Sequence, residues 1–382
     1  MELPHPADQG SADDRYRLGL MLESMGDFAK AGEVFDQLME SPALNVATLA
    51  DQIRRNIRTG RLTKAEAELA RLERMAPDAI GTIALRIELL HQSGRDDEID
   101  ALIQGLQPRL AAEATAPEQQ ANVEQLIGDL YSSAEMHAKA EPHYQKLVEL
   151  RPAAIGRLAA CRAAQGQTSQ AVELALADRP GADDLVKAEA LARIFVTSNP
   201  SDGDWAAAEP VLRAAAEAHA DRADLLTSIA NVYIVREQID QAVALLEKAL
   251  AIQTENLIIL NNLASLLGEL PGRAADALTY VEQAIKLSGS TPNLLDTKGT
   301  ILIQLDRSAE AVAVLDRAVA GNVQDPRYLL HLAVACDRVN DATKAKEMLK
   351  KALDDGLLER PGLILTTTDK TWLNELRKKY EL

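Results

Sequence analysis

Ten short side chains, nearly all alanine, recur along this 382-residue chain at close to 34-residue intervals. They are Ala31, Ala65, Ile99, Ala140, Ala171, Ala208, Ala242, Ala277, Ala311 and Ala345, spaced 34, 34, 41, 31, 37, 34, 35, 34 and 34 residues apart. A period of this size, kept over almost the whole length, requires a stack of small supersecondary units, each burying its apolar face against the next. It excludes a single closed core.

Each interval has the same internal pattern. In the stretch from Ala223 to Asn256, Leu226, Ile229, Ala230 and Tyr233 fall at i, i+3, i+4 and i+7, one apolar face of a first helix. Glu237 and Gln238 make a polar turn, and a second helix then carries Ile239, Ala242, Leu246 and Ala249 inward. The small residues have a steric reason. Ala230 and Ala242 belong where two helix backbones approach closely, and larger side chains would force them apart.

These residues resemble the tetratricopeptide repeat. The family pattern of a small residue at position 8, an aromatic or Leu at 11, Gly near 15, Ala at 20, an aromatic or Leu at 24 and Pro at 32 returns repeatedly. The first copy gives Gly19, Leu22, Gly26, Asp27, Phe28, Ala31 and Phe35; the second Gly60, Ala65, Leu69 and Pro77; the fourth Gly128, Tyr131, Ala140, Tyr144 and Pro152. The resemblance covers roughly residues 12 to 359. It implies an all-α fold: a right-handed α-solenoid of about ten helical hairpins, closed by a C-terminal capping helix.

Composition agrees with that class. Aromatic residues are 3% of the chain, too few for a large sandwich or barrel core. A formal net charge of −17 disfavours nucleic acid and anionic membrane as partners, because a surface that tracks phosphates needs a basic face. Cys161 and Cys336, about five repeats apart on first helices, are expected to be buried thiols without a disulfide. No apolar run approaches a membrane span, and the start Met1-Glu2-Leu3-Pro4-His5-Pro6 has no signal-peptide character. The expectation is a soluble chain, cytoplasmic, or periplasmic if it is a fragment of an exported protein.

Irregularities divide the array. Residues 12–113 hold repeats 1–3 and 114–222 hold irregular repeats 4–6. Regular repeats 7–10 occupy 223–359, and 360–382 form a capping segment. Ala111 to Pro117 should lengthen a helix or loop, and Thr197 to Asp204 reads as an inserted turn before Trp205 starts a second helix. Beyond Asp354-Asp355-Gly356 and Arg360-Pro361-Gly362, Thr368 or Asp369 can cap a last helix with Trp372, Leu373, Leu376 and Tyr380 on one side. That helix should cover the apolar end of the stack; the sharper reading is a tail that folds into the groove and competes with ligand.

The search for chemistry returns negatives. Phosphate-loop, dinucleotide, zinc-protease and C-x-x-C motifs are absent, so no catalytic, metal or cofactor site is expected. The one local histidine cluster, His137 and His143 with Glu135 and Glu141, reads as solvated side chains, and the loop from Asn199 to Asp204 as an ordinary turn.

The groove remains. Positions 2, 5, 9 and 12 of each first helix share a face opposite the packing stripe, and the resemblance implies that this face lines the concave side. In repeats seven to nine it offers Thr227, Asn231, Asn261, Ser265, Asn293, Asp296 and Thr300, with Asn262 beside them at position 6, a polar strip able to pair with an extended backbone. The carboxylate clamp of chaperone-binding repeats is matched at Asn231 and Asn262, but its cationic positions hold Thr227, Asn293 and Thr297. The asparagine ladder of the O-GlcNAc transferase arm is not matched either: position 6 reads Arg17, Asp51, Leu85, Leu126, Arg157, Ala190, Ser228, Asn262, Thr297 and His331. The leading expectation is a non-catalytic scaffold that binds a protein or peptide segment in the concave groove. The alternative is an architectural module, self-associating through its stack ends or serving as the arm of a larger bacterial envelope or exopolysaccharide protein.

Overall fold

The computed structural model of the protein describes residues 12–24, 27–39, 45–321, 325–354, 358 and 365–382. Met1 to Pro6, Gly26, Asp355, Gly356 and Arg360-Pro361-Gly362, used above, lie outside them. Among the described residues every regular element is helical, and the helices come in pairs. The first pairs are α1 (Ala12–Ser24) with α2 (Phe28–Met39), α3 (Val46–Arg58) with α4 (Leu62–Met75), and α5 (Ile80–Gln92) with α6 (Asp96–Glu113). Next come α7 (Pro117–Ser133) with α8 (His137–Leu150), α9 (Ile155–Ala164) with α10 (Thr168–Leu176), and α11 (Asp184–Thr197) with α12 (Asp202–Ala218). The regular stretch holds α13 (Ala223–Val235) with α14 (Ile239–Ile252) and α15 (Leu257–Glu269) with α16 (Ala274–Ser288). It continues with α17 (Pro292–Gln304) with α18 (Ser308–Gly321) and α19 (Pro326–Arg338) with α20 (Ala342–Leu353), before the single α21 (Thr367–Tyr380). The fold is an all-α solenoid of helical hairpins.

The chain divides into two compact units, one taken from residues 1–52 and 254–382, the other from 53–253. In the second, first helices pack on first helices, α5 on α7 and α11 on α13, and the core around α5 to α9 includes Ile87, Ile99, Tyr131, Ala140 and Tyr144. In the first, α15, α17 and α19 repeat that arrangement, and α21 joins the core of the last hairpin through Trp372, Leu373 and Leu376.

One turn recurs in every part of the array. Eight described residues with positive φ stand five positions before the recurring small residue: Gly60, Gly94, Glu135, Gly166, Glu237, Gly272, Asp306 and Asn340. In most of these turns the next backbone N–H reaches back to the carbonyl five residues earlier, as Gln238 does to Tyr233 and Asp341 to Cys336. This closes the helix end in a left-handed cap whose geometry the chain keeps even where glycine is absent.

The small residues are placed as their spacing predicts. Ala230 and Ala242 are fully buried between α13 and α14. At Gly128 an added Cβ would stand 2.6 Å from Cε1 of Tyr144, whose ring is buried and whose hydroxyl is anchored on Asp129 at 2.8 Å. Gly128→Ala is therefore expected to lose about 1–3 kcal/mol by overpacking α7 on α8. A urea midpoint equal to that of the wild type would refute this contact.

The 41-residue interval lengthens a helix, α6, to 18 residues. Two local readings change. Helix α12 begins at Asp202, not Trp205, because the Ser201 hydroxyl accepts from the Asp204 N–H and the Asp204 carboxylate accepts from the Ser201 N–H, a capping box three residues earlier. His143 is not solvated: its side chain is 13% exposed, Nδ1 lies 2.6 Å from Glu124, and its ring stacks on Tyr131. Both cysteines are buried free thiols, pushed up to about 11 by that burial. Among the described residues no helix is long and apolar enough to cross a membrane.

Candidate functional site

In the unit containing residues 254–382, α15, α17, α19 and α21 each start on a side-chain cap, which fixes where the helix begins. Asn256 accepts from the N–H groups of Ile258 and Ile259 at the head of α15, Thr291 from Leu294 on α17, and Asp325 from Arg327 on α19. Pro292 and Pro326 at the first helical position suit starts where no intrahelical N–H bond is needed. Thr366 caps α21, with Asp369 returning a carboxylate to the Thr366 N–H at 3.0 Å.

Together α15, α17, α19 and α21 enclose a pocket of about 320 Å³. Of the eight residues expected from sequence, Asn261, Asn262, Ser265, Asn293, Asp296 and Thr300 line it. Thr227 and Asn231 lie on α13 in the other unit. Thr227 donates its hydroxyl to the Ala223 carbonyl at 2.7 Å and Thr300 donates to the Thr297 carbonyl at 2.9 Å, so both hydroxyl protons are committed within their own helices. The Oδ1 of Asn261 is buried and accepts no hydrogen bond, a state that costs about 1–3 kcal/mol until a donor arrives.

The pocket is more charged than the strip read from sequence. Glu269, Arg327, His331, Asp369 and Trp372 also line it. At its floor the His331 imidazole stands between two carboxylates, Nδ1 at 2.7 Å from Asp296 and Nε2 at 2.9 Å from Asp369, all three buried. With both carboxyls ionised, both ring nitrogens donate and the ring is an imidazolium. Burial opposes its charge, but Asp296 first and then Asp369 outweigh burial and hold the group up at about 10. Burial also acts on the carboxyls. It raises Asp296, whereas at Asp369 the bond and charge of His331 and the Thr366 N–H overcome it and hold that group low. Trp372 meets the His331 ring edge-on, with centroids 6.0 Å apart. Among the described residues no group of three or more His, Cys, Asp or Glu side chains is placed to hold a metal ion.

Sequence reasoning did not single out His331 and Asp369 as a pair. A signal for the first existed, since His331 occupies position 6, where the previous two copies carry Asn262 and Thr297. No spacing rule joins it to Asp369, which lies beyond the last repeat.

Comparison with known proteins gives two matches to tetratricopeptide repeat family models, over residues 201–267 and 125–153. No curated protein matches the chain. Among solved structures, the crystal structure of the APC/C hetero-tetramer Cut9-Hcn1 is 14% identical with a TM-score of 0.47, covering 97% of this chain and 64% of that one. The chain thus spans less than two thirds of that protein's length. Pseudomonas aeruginosa pilF is 16% identical with a TM-score of 0.43, covering 69% of this chain and 99% of that one. MamA is 16% identical with a TM-score of 0.35, covering 40% and 88%.

Proposed function

We propose that this chain, a tetratricopeptide-repeat protein and so in general a protein-interaction scaffold, holds an extended segment of a partner protein along the first-helix face of its repeats. The observation that carries this reading is the pocket itself. It is concave, and it gathers six of the eight residues that repeat register marks as groove-facing. Amides and hydroxyls at successive helical turns are suited to backbone N–H and C=O groups, which every extended segment offers. Asn262 and Asn293 are the proposed backbone contacts in this unit, with Thr227 and Asn231 as contacts of the same kind on α13.

The double variant Asn262→Ala, Asn293→Ala tests it. Partners captured from the source cell with wild type and variant as baits are compared, and the recovered segment is titrated calorimetrically into both. The expected loss is about 1–3 kcal/mol for each partner group left unpaired, with circular dichroism unchanged. A segment bound equally by both proteins moves binding off this face.

A further inference from the structure

The pocket is supplied with acceptors and short of cations. Glu269, at the C-terminal end of α15, forms no ion pair among the described residues. Its carboxyl is pushed up first by burial and next by the charge of Asp369, only partly relieved by Thr366 and His331. Asp296 and Asp369 share the single cation His331. The other basic group on the wall, Arg327, is held by Asp325 through contacts of 2.5–3.2 Å and cancels against it. Three carboxylates against one imidazolium leave two formal negative charges facing the space. The open carbonyl end of α15 adds negative potential at the same place. Asn261 lines the same wall, and its buried Oδ1 accepts no hydrogen bond. Trp372, 6% exposed, borders the same space with a small part of its surface.

We propose that the space between Asn261, Glu269, Asp369 and Trp372 is a subsite for a basic side chain, arginine or lysine, of the protein segment held in the groove. This rests on the groove reading and names the chemistry of one residue of the partner. A carboxylate-bearing segment would meet three carboxylates there, and a neutral one would leave Glu269 without a counter-charge. A guanidinium or ammonium brings several N–H donors to Glu269 and Asn261, beside Trp372.

The test needs no identified partner. Acetyl-arginine amide, the neutral isostere acetyl-citrulline amide and acetyl-glutamate amide are titrated into the full chain, and the indole N–H resonance of Trp372 is followed. It is distinguished from that of the second tryptophan, Trp205, by its loss in Trp372→Phe. The arginine derivative should bind about tenfold more tightly than citrulline, the difference between a charge-assisted and a neutral hydrogen bond. Glutamate should not bind. Glu269→Gln should erase the preference, and so should Ser265→Lys, which places a tethered ammonium at an exposed position on the wall. If one of these variants fails to fold, the other decides. Arginine and citrulline binding within about twofold of each other, or an unmoved Trp372 signal, overturns the inference. Tighter binding of free putrescine than of capped arginine overturns it in favour of a metabolite. If arginine and citrulline bind alike and both are lost in Asn262→Ala, Asn293→Ala, only the basic subsite falls and the groove reading stands.

Discussion

His331→Leu should destabilise the unit that contains the last repeats by about 3–5 kcal/mol, because it leaves two buried carboxylates facing each other without their cation. Urea denaturation of wild type and variant measures the loss, and hydrogen exchange should locate it in α17, α19 and α21. Adding Asp296→Asn and Asp369→Asn to His331→Leu should restore most of it, since neutral amides of the same shape need no counter-charge. A triple variant no more stable than the single one would show that the loss comes from packing around the ring. The pH dependence has a defined sign. His331 is raised from 6.5 to about 10 in the folded protein, so its contribution is complete below pH 6.5 and fades as pH climbs towards 10. Asp369 is lowered from 3.8, so its contribution is present above that value and disappears as pH falls below it. Asp296, raised from 3.8, has the opposite sign and takes back part of the gain once it ionises. The contribution of the cluster is therefore expected to be greatest between about pH 4 and 6.5, and to decline towards pH 10 in the wild type only. A parallel decline in His331→Leu would assign the effect to other groups.

Trp372→Ala should cost about 3–5 kcal/mol, the range for emptying a buried aromatic site. The side chain is 6% exposed and packs in one core with Leu330, Val334, Leu373 and Leu376. Its loss weakens the seat of α21 on α19, and the apolar surface beneath becomes intermittently wet. Deleting residues 366–382 carries the same change to its end, baring the face that Leu373 and Leu376 cover, so the truncated chain should self-associate. Light scattering distinguishes the outcomes. A truncated chain that stays monomeric with an unchanged melting temperature would show that α21 is no cap. The two substitutions are separable, because only His331→Leu removes the decline in stability between pH 6.5 and 10.

The helix α21 shows why two readings of the C-terminal segment were both partly legible. Trp372, Leu373 and Leu376 fall on one side of a helix, which is enough to expect a cap, and they are buried against the last hairpin. The same helix also lines the pocket, through Thr366, Thr368 and Asp369. A pattern of apolar residues says which stripe is buried. It does not say what the first polar turn of that helix will meet.

The same division runs through the groove. Helical periodicity put Asn261, Asn262, Ser265, Asn293, Asp296 and Thr300 on one face, and that face is where the pocket forms. It did not show that Asp296 is engaged by His331, or that Glu269 belongs to the same wall.

The sequence by itself determined the period, the pairing of helices, the small residues at their crossings and the turn before each second helix. These depend on contacts within one hairpin, between residues a few turns apart, and local spacing encodes such contacts directly. The tertiary structure alone decided the charge of the site. Asp296 and His331 are 35 residues apart and His331 and Asp369 are 38, on three different helices. Whether their side chains meet depends on the rotation of each helix against its neighbours. That rotation is set by the packing of the whole unit, and no local pattern records it.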